Sequence, residues 1–162
     1  MRFLVDGDFN NGSLLKLILF CALVYLTIMS ITNALLFIDK TGFEAQTIVE
    51  QYLGSEEQFR NPASYRGLLE GTHTHLFAAG IMLLLVNHLT VFTGLKQGIK
   101  LTLLITSFSS GLLDMASGWL IRFVSPSFAY LKIAAFAAFE LSLFCLLAAS
   151  FMSLALYDRK RP

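Results

Sequence analysis

The sequence predicts an all-α protein, an integral membrane four-helix bundle with a short amphipathic helix in the outer loop between spans one and two. Three observations predict it. The 162 residues are 56% hydrophobic and only 14% charged, whereas soluble domains carry about a quarter charged residues. Mean hydropathy is +0.66. Four stretches are also each apolar over the roughly 20 residues a helix needs to cross a bilayer. A chain this short cannot hide that much apolar surface from water, so lipid is the expected solvent. Hydrocarbon offers no partner to backbone N–H and C=O groups, so each span is expected to be helical. The length fits one membrane domain over 1–162.

The first span is expected at about 14–38. The segment before it is polar and holds Asp6 and Asp8, and no small-residue cleavage site follows the apolar run. It therefore reads as a retained helix rather than a removed signal. An acidic outer loop, 39–70, comes next. Within it Ile48, Val49, Tyr52 and Leu53 recur near helical spacing, which predicts a short helix over about 43–53 lying on the membrane surface, and Asn61-Pro62 then breaks the chain. The second span is expected at about 71–95 and the third at about 100–123. The short link between them contains Gly94 and Gly98, so the two should form an antiparallel hairpin. Ser125-Pro126-Ser127 predicts a tight turn into a fourth span at about 128–157, with Pro126 in its first turn and Ser125 as its cap.

Orientation is read from lysine and arginine. One side holds Arg2, Lys16, Lys96, Lys100, Arg159, Lys160 and Arg161, and the other holds Lys40, Arg60, Arg66, Arg122 and Lys132. The basic cluster directly after the last span sharpens this bias. It places both termini in the cytoplasm, for a multi-pass protein of a bacterial inner membrane. The net charge of +1 gives no case for nucleic acid as a partner. Cys21 and Cys145 lie within apolar segments, which makes no disulfide framework and no metal motif; both are expected to be buried thiols acting as small hydrophobes. Trp119, Tyr65 and Tyr130 near span ends fit interface anchors.

Ionisable groups inside a span are costly and mark candidate functional positions. Here they are His73, His75, His88, Asp114 and Glu140. All three histidines fall on span two. At 100° and 1.5 Å per residue, His73 and His88 lie about 60° apart around the helix and about 22 Å apart along it, with Phe77, Gly80, Leu84 and Asn87 on the same face. One face thus carries a histidine near each membrane surface and a glycine between. Imidazole is a standard axial ligand of haem iron, so His73 and His88 are candidate ligands of haem b, with His75 as an alternative ligand or a hydrogen-bond donor to a quinol or haem propionate. No other span carries a histidine. A second axial ligand would come from a homodimer, from Met152 in span four, or from a partner subunit, or the haem would be five-coordinate. The opposing reading gives the histidines only interhelical hydrogen bonds, with no cofactor at all. A weaker metal reading pairs Glu70 with His73 in a Glu-x-x-His arrangement, which di-iron bundles carry twice and this chain carries once.

Asp114 lies among Ser107, Ser110, Gly111, Ser117 and Gly118 on its side of span three, where small residues bring helices close and polar ones bond across them. It is either an interhelical anchor or a proton-relay or quinol-site group. Glu140 follows an alanine-rich stretch and carries the same two readings; it is expected to be protonated or paired with Lys132 two turns away.

The stretches Tyr52-Leu53-Gly54-Ser55-Glu56-Glu57, Leu68 to Phe77, Asn87-His88-Leu89 and Asp114 to Leu120 resemble a family of small four-span bacterial inner-membrane proteins associated with c-type cytochromes and respiratory electron transfer. The resemblance covers about half the chain. It implies that His73, His75, His88 and Asp114 matter together. Two readings follow. In one, the chain is a membrane subunit of an electron-transfer system, linking a quinol pool to an extracytoplasmic c-type cytochrome through haem b. In the other, it is a non-catalytic accessory subunit of a larger membrane complex. In both it is more an electron-transfer or accessory subunit than a stand-alone enzyme.

Overall fold

The computed structural model describes residues 12–158, which form five helices: α1 (Gly12–Thr41), α2 (Ala45–Leu53), α3 (Tyr65–Val91), α4 (Gln97–Phe123) and α5 (Phe128–Asp158). There is no β-strand among the described residues, only one isolated bridge between Ser55 and Arg60. Four helices are long and apolar enough to cross a membrane, so the chain is an all-α four-span bundle with α2 as its short fifth helix. Arg2 and the Arg159-Lys160-Arg161 cluster used for orientation lie outside the described residues.

The fold is organised around α5, which packs against every other helix, whereas α1 packs mainly against α5 and α2. The sequence of α4 explains the close α4–α5 pairing. Its buried face is Ser107, Ser110, Gly111, Asp114, Ser117, Gly118 and Ile121. Six of these seven are small or polar, so the two backbones approach closely and Phe139 of α5 lies over Gly111. The serines bond back to carbonyls of their own helix, as Ser110 does to Thr106 and Ser117 to Asp114, so burying them leaves no hydroxyl unsatisfied. Away from α2, Leu23 and Leu26 of α1, Met82, Leu83 and Val86 of α3, and Phe139, Leu143, Leu146 and Leu147 of α5 form the larger apolar cluster. At the α2 end, Ile48, Ile121 and Ala129 form a smaller one, and α2 sits on it as a cap.

Boundaries differ from the hydropathy reading for a physical reason. α3 begins at Tyr65, six residues before the apolar stretch. Ser64 caps it by accepting a hydrogen bond from Gly67 N (3.0 Å), and Arg66 and Glu70 form an exposed pair one turn apart (2.8 Å). Hydropathy finds the part of a helix in hydrocarbon; the capped, charged first turns project beyond it. At the other end of α3, Lys100 Nζ donates to the Val91 and Thr93 carbonyls (2.6 and 2.7 Å), a cation where carbonyls are left unpaired and the helix dipole is negative. α2 stops at Gly54, whose φ of 87° favours glycine. A Cβ there would lie 2.7 Å from the Arg60 carbonyl oxygen and 2.9 Å from Pro62 N, so the loop closes back on this residue only because it has no side chain.

Candidate functional site

Among the described residues, polar side chains within the candidate spans fall into groups closed inside the bundle or along its seam and a set of exposed histidines.

The first joins α4 and α5. Lys132 Nζ donates to Asp114 Oδ1 (2.9 Å) and to the Asp114 backbone carbonyl (3.2 Å), and both side chains are about nine-tenths buried. The pairing expected between Lys132 and Glu140 is therefore not made; the lysine turns to the one acid that α4 places inside. Tyr52 of α2 completes the group. Its ring centre lies 5.9 Å from Nζ, and its phenol rests on Gly118, where a Cβ would come within 2.9 Å of the hydroxyl. A charge pair in this setting is thereby roofed by an aromatic ring from the surface helix. Nearby, Trp119 Nε1 donates to Thr72 Oγ1 (2.8 Å), Tyr65 packs edge-on to Trp119, and Arg122 Nε donates to the Ala63 carbonyl (2.9 Å). These contacts tie α3 and the loop before it to α4, with Trp119 and Tyr65 where interface anchors are expected.

The second joins α1 and α5. Glu140 accepts from Ser30 Oγ at Oε2 (2.7 Å) and from Asn33 Nδ2 at Oε1 (2.7 Å). α1 thus supplies both donors. Deeper toward the other end, Asn87 donates to Ser107 Oγ (3.3 Å), and the hydroxyls of Thr90 and Ser150 meet at 3.5 Å.

The third is the set of histidines. His73, His75 and His88 are all exposed; His73 and His88 lie on the side of α3 away from the bundle, whereas His75 lies about 20° around the axis from the buried Val86. Val86, fully buried, lies about 160° around the axis from His88 and about 140° from His73. The seam of α3 with α4 and α5 is filled instead by Met82, Leu83, Val86, Asn87 and Thr90. Along the outward face Phe77 and Leu84 are largely exposed, and a Cβ on Gly80 would meet nothing within 4 Å. His88 packs edge-on to Phe92, ring centres 5.3 Å apart. Glu70 is engaged with Arg66, and no cluster of three or more metal-ligating side chains occurs among the described residues. Met152 is 63% exposed on α5. The cysteines depart from the sequence reading, since Cys21 and Cys145 are both free and exposed on the outside of the bundle rather than buried. In an apolar helix facing lipid a thiol gains no burial from the protein itself.

Every buried side-chain nitrogen or oxygen among the described residues has a hydrogen-bond partner. Among the described residues the interior is chemically closed, and the outward face of α3 carries the exposed imidazoles of His73 and His88.

Over residues 42–161 the chain matches a family described as a transmembrane helical domain. No curated protein and no solved structure matches it.

Proposed function

The chain belongs to the Aq_1264_TM family of transmembrane helical domains, and on that premise we propose that this multi-pass membrane protein is a subunit of an electron-transfer system. It works through the outward face of α3, where a second membrane-embedded chain (a partner subunit or another copy) completes a site for haem b. The observation that carries this reading is the stripe His73, Phe77, Gly80, Leu84 and His88 on the exposed side of α3. Imidazole groups in hydrocarbon are costly unless something covers them. Two of them stand about 22 Å apart with an open glycine between, which suits flat macrocycles approaching the backbone near each membrane surface. The group would supply one-electron transfer; the chain supplies the ligands, the apolar walls and the spacing. The expected setting is a bacterial inner membrane with cytoplasmic termini, quinol as electron donor and a c-type cytochrome as acceptor.

The test is the optical spectrum of the protein purified in mild detergent, before and after dithionite reduction, together with its mass in the micelle. A reduced b-type band that is lost in His73→Ala and His88→Ala supports the reading. A protein with no such band and no metal by elemental analysis overturns it.

A second reading is favoured by the closed interior. A chain whose buried side-chain polar atoms, among the described residues, are all satisfied within itself is a ready-made building block, and the same α3 face would then serve assembly alone. In that case the histidine substitutions weaken association and leave cofactor content and electron transfer of the complex unchanged.

A further inference from the structure

Glu140 lies about 18 Å along α5 from its first residue, well inside the 28-residue stretch able to span a membrane. It is half-buried, at the seam with α1, and its neighbour Leu141 and the nearby Phe144 and Ile31 are exposed apolar residues. Its side chain therefore borders hydrocarbon. Asp114, the other intramembrane acid, has Lys132 against it; among the described residues no cation forms an ion pair with Glu140. The charged and titratable groups on the helices packed against it are all elsewhere. On α1, Tyr25, Asp39 and Lys40 are exposed, with Lys16 and Cys21 farther toward the start of the helix. On α2, Tyr52 faces Lys132. On α4, Asp114 is held by Lys132. On α3 the histidines are exposed. On α5 itself, Lys132 is about 12 Å away along the axis and Cys145 is exposed. Among the described residues Glu140 is bonded only by Ser30 and Asn33.

We propose that Glu140, Ser30 and Asn33 form a reversible proton-binding site at the seam of α1 and α5, open to the hydrocarbon side. Two opposing forces act on the carboxyl. Bordering lipid, its charge is penalised; two donors, one on each oxygen, favour that charge. The proton comes from water and forms an O–H bond at Oε2. The Ser30 hydroxyl, which both donates and accepts, then turns to accept it, while Asn33 goes on donating to Oε1. Release reverses the step and restores the two donated bonds. The ligand proposed is a proton, and competition by sodium at fixed pH distinguishes it from an alkali cation. The site stands apart from the α3 face and does not depend on it.

Dicyclohexylcarbodiimide tests the site on the full chain in liposomes. The reagent is apolar and reacts with protonated carboxyls: the acid O–H adds across a C=N bond, the proton moves to nitrogen, and the O-acyl product rearranges to a stable N-acylurea found by peptide mass spectrometry. Glu140 is expected to be the labelled acid, ahead of Asp114 and of the loop acids Glu56 and Glu57, with labelling that falls as pH rises. In the alkaline range, Ser30→Ala with Asn33→Ala is expected to raise labelling about tenfold, because the bonds favouring the charge are gone. Glu140→Gln abolishes it, and the melting of each variant reports whether it folds. An unlabelled Glu140 in folded protein, labelling independent of pH, no change in the Ser30/Asn33 variant, or protection by sodium at fixed pH would each overturn the proposal.

Discussion

Replacing Asp114 by alanine leaves the Lys132 ammonium in a site about nine-tenths buried, with the residue-114 carbonyl at 3.2 Å and the Tyr52 ring as its remaining company. Removing one member of a buried ion pair costs about 3–5 kcal/mol, because the other charge is left uncompensated. The surviving carbonyl bond places this case near the lower end, at about 3 kcal/mol. Lys132→Met keeps most of the stem, and the Asp114 carboxyl loses one hydrogen-bond donor, an expected loss of about 2 kcal/mol. With both substitutions no charge remains, and an apolar replacement of a whole pair is close to neutral; the small void left by the aspartate costs about 1–2 kcal/mol. The double variant should therefore be more stable than Asp114→Ala alone, with a coupling of about 3 kcal/mol. The assay is equilibrium unfolding in mixed micelles followed by the fluorescence of Trp119, the only tryptophan, one and a half turns from the pair. If each single substitution costs under about 1 kcal/mol and the two simply add, the pair is not coupled, and the argument that it pins α4 to α5 fails.

Other expectations follow from single contacts. Gly118→Ala places a Cβ 2.9 Å from the Tyr52 ring; α2 should loosen by about 1–3 kcal/mol, seen as faster hydrogen exchange over residues 45–53. Gly54→Ala meets both a positive φ and the Arg60 carbonyl, so about 1–3 kcal/mol should be lost, with proteolysis appearing first in residues 55–62. Lys100→Met removes two bonds to carbonyls at the end of α3 and should lower stability by about 1 kcal/mol in the same unfolding assay. His73→Ala, His75→Ala and His88→Ala should each change the stability of the isolated chain by less than about 0.5 kcal/mol, as surface substitutions do; a loss above about 2 kcal/mol would contradict their exposed placement.

The four long helices and the surface helix were legible because hydrocarbon imposes a simple rule on composition, and that rule is written in every span. The candidate sites were less so. That two lone opposite charges, Asp114 and Lys132, occupy facing spans is visible in the sequence, and an unpaired charge in lipid is costly enough to force the match. Yet within one helix Lys132 and Glu140 sit two turns apart, so local spacing argued for the wrong partner. Choosing correctly needs the rotation of α5, which buries Lys132 toward α4 and turns Glu140 toward α1. The shared face of His73 and His88 follows from helical spacing alone, although Asn87, placed on that face by the same spacing, turns into the seam with α4. Which way that face points is a tertiary fact, since a face bearing Phe77 and Leu84 is as apolar toward lipid as toward protein. The same ambiguity misplaced Cys21 and Cys145. In a membrane, hydrophobicity separates span from loop but does not separate inside from outside.

That loss of contrast gives the polar residues their meaning. In a soluble bundle an outward histidine is unremarkable, because water satisfies it. On α3 the outward side of a spanning helix is the lipid side, so the cost of His73 and His88 falls to a headgroup, a cofactor or another chain. Glu140 raises the same question on a different side of α5, and answers it with two donors from α1. α1 packs on α5 and α2, while α3 packs on α4 and α5, so the α1–α5 seam and the α3 face do not compete for the same neighbour. A second chain can cover the histidines while Glu140 still borders lipid. Assembly through α3 and proton exchange at Glu140 are therefore separable, and variants at one should leave the readout of the other unchanged.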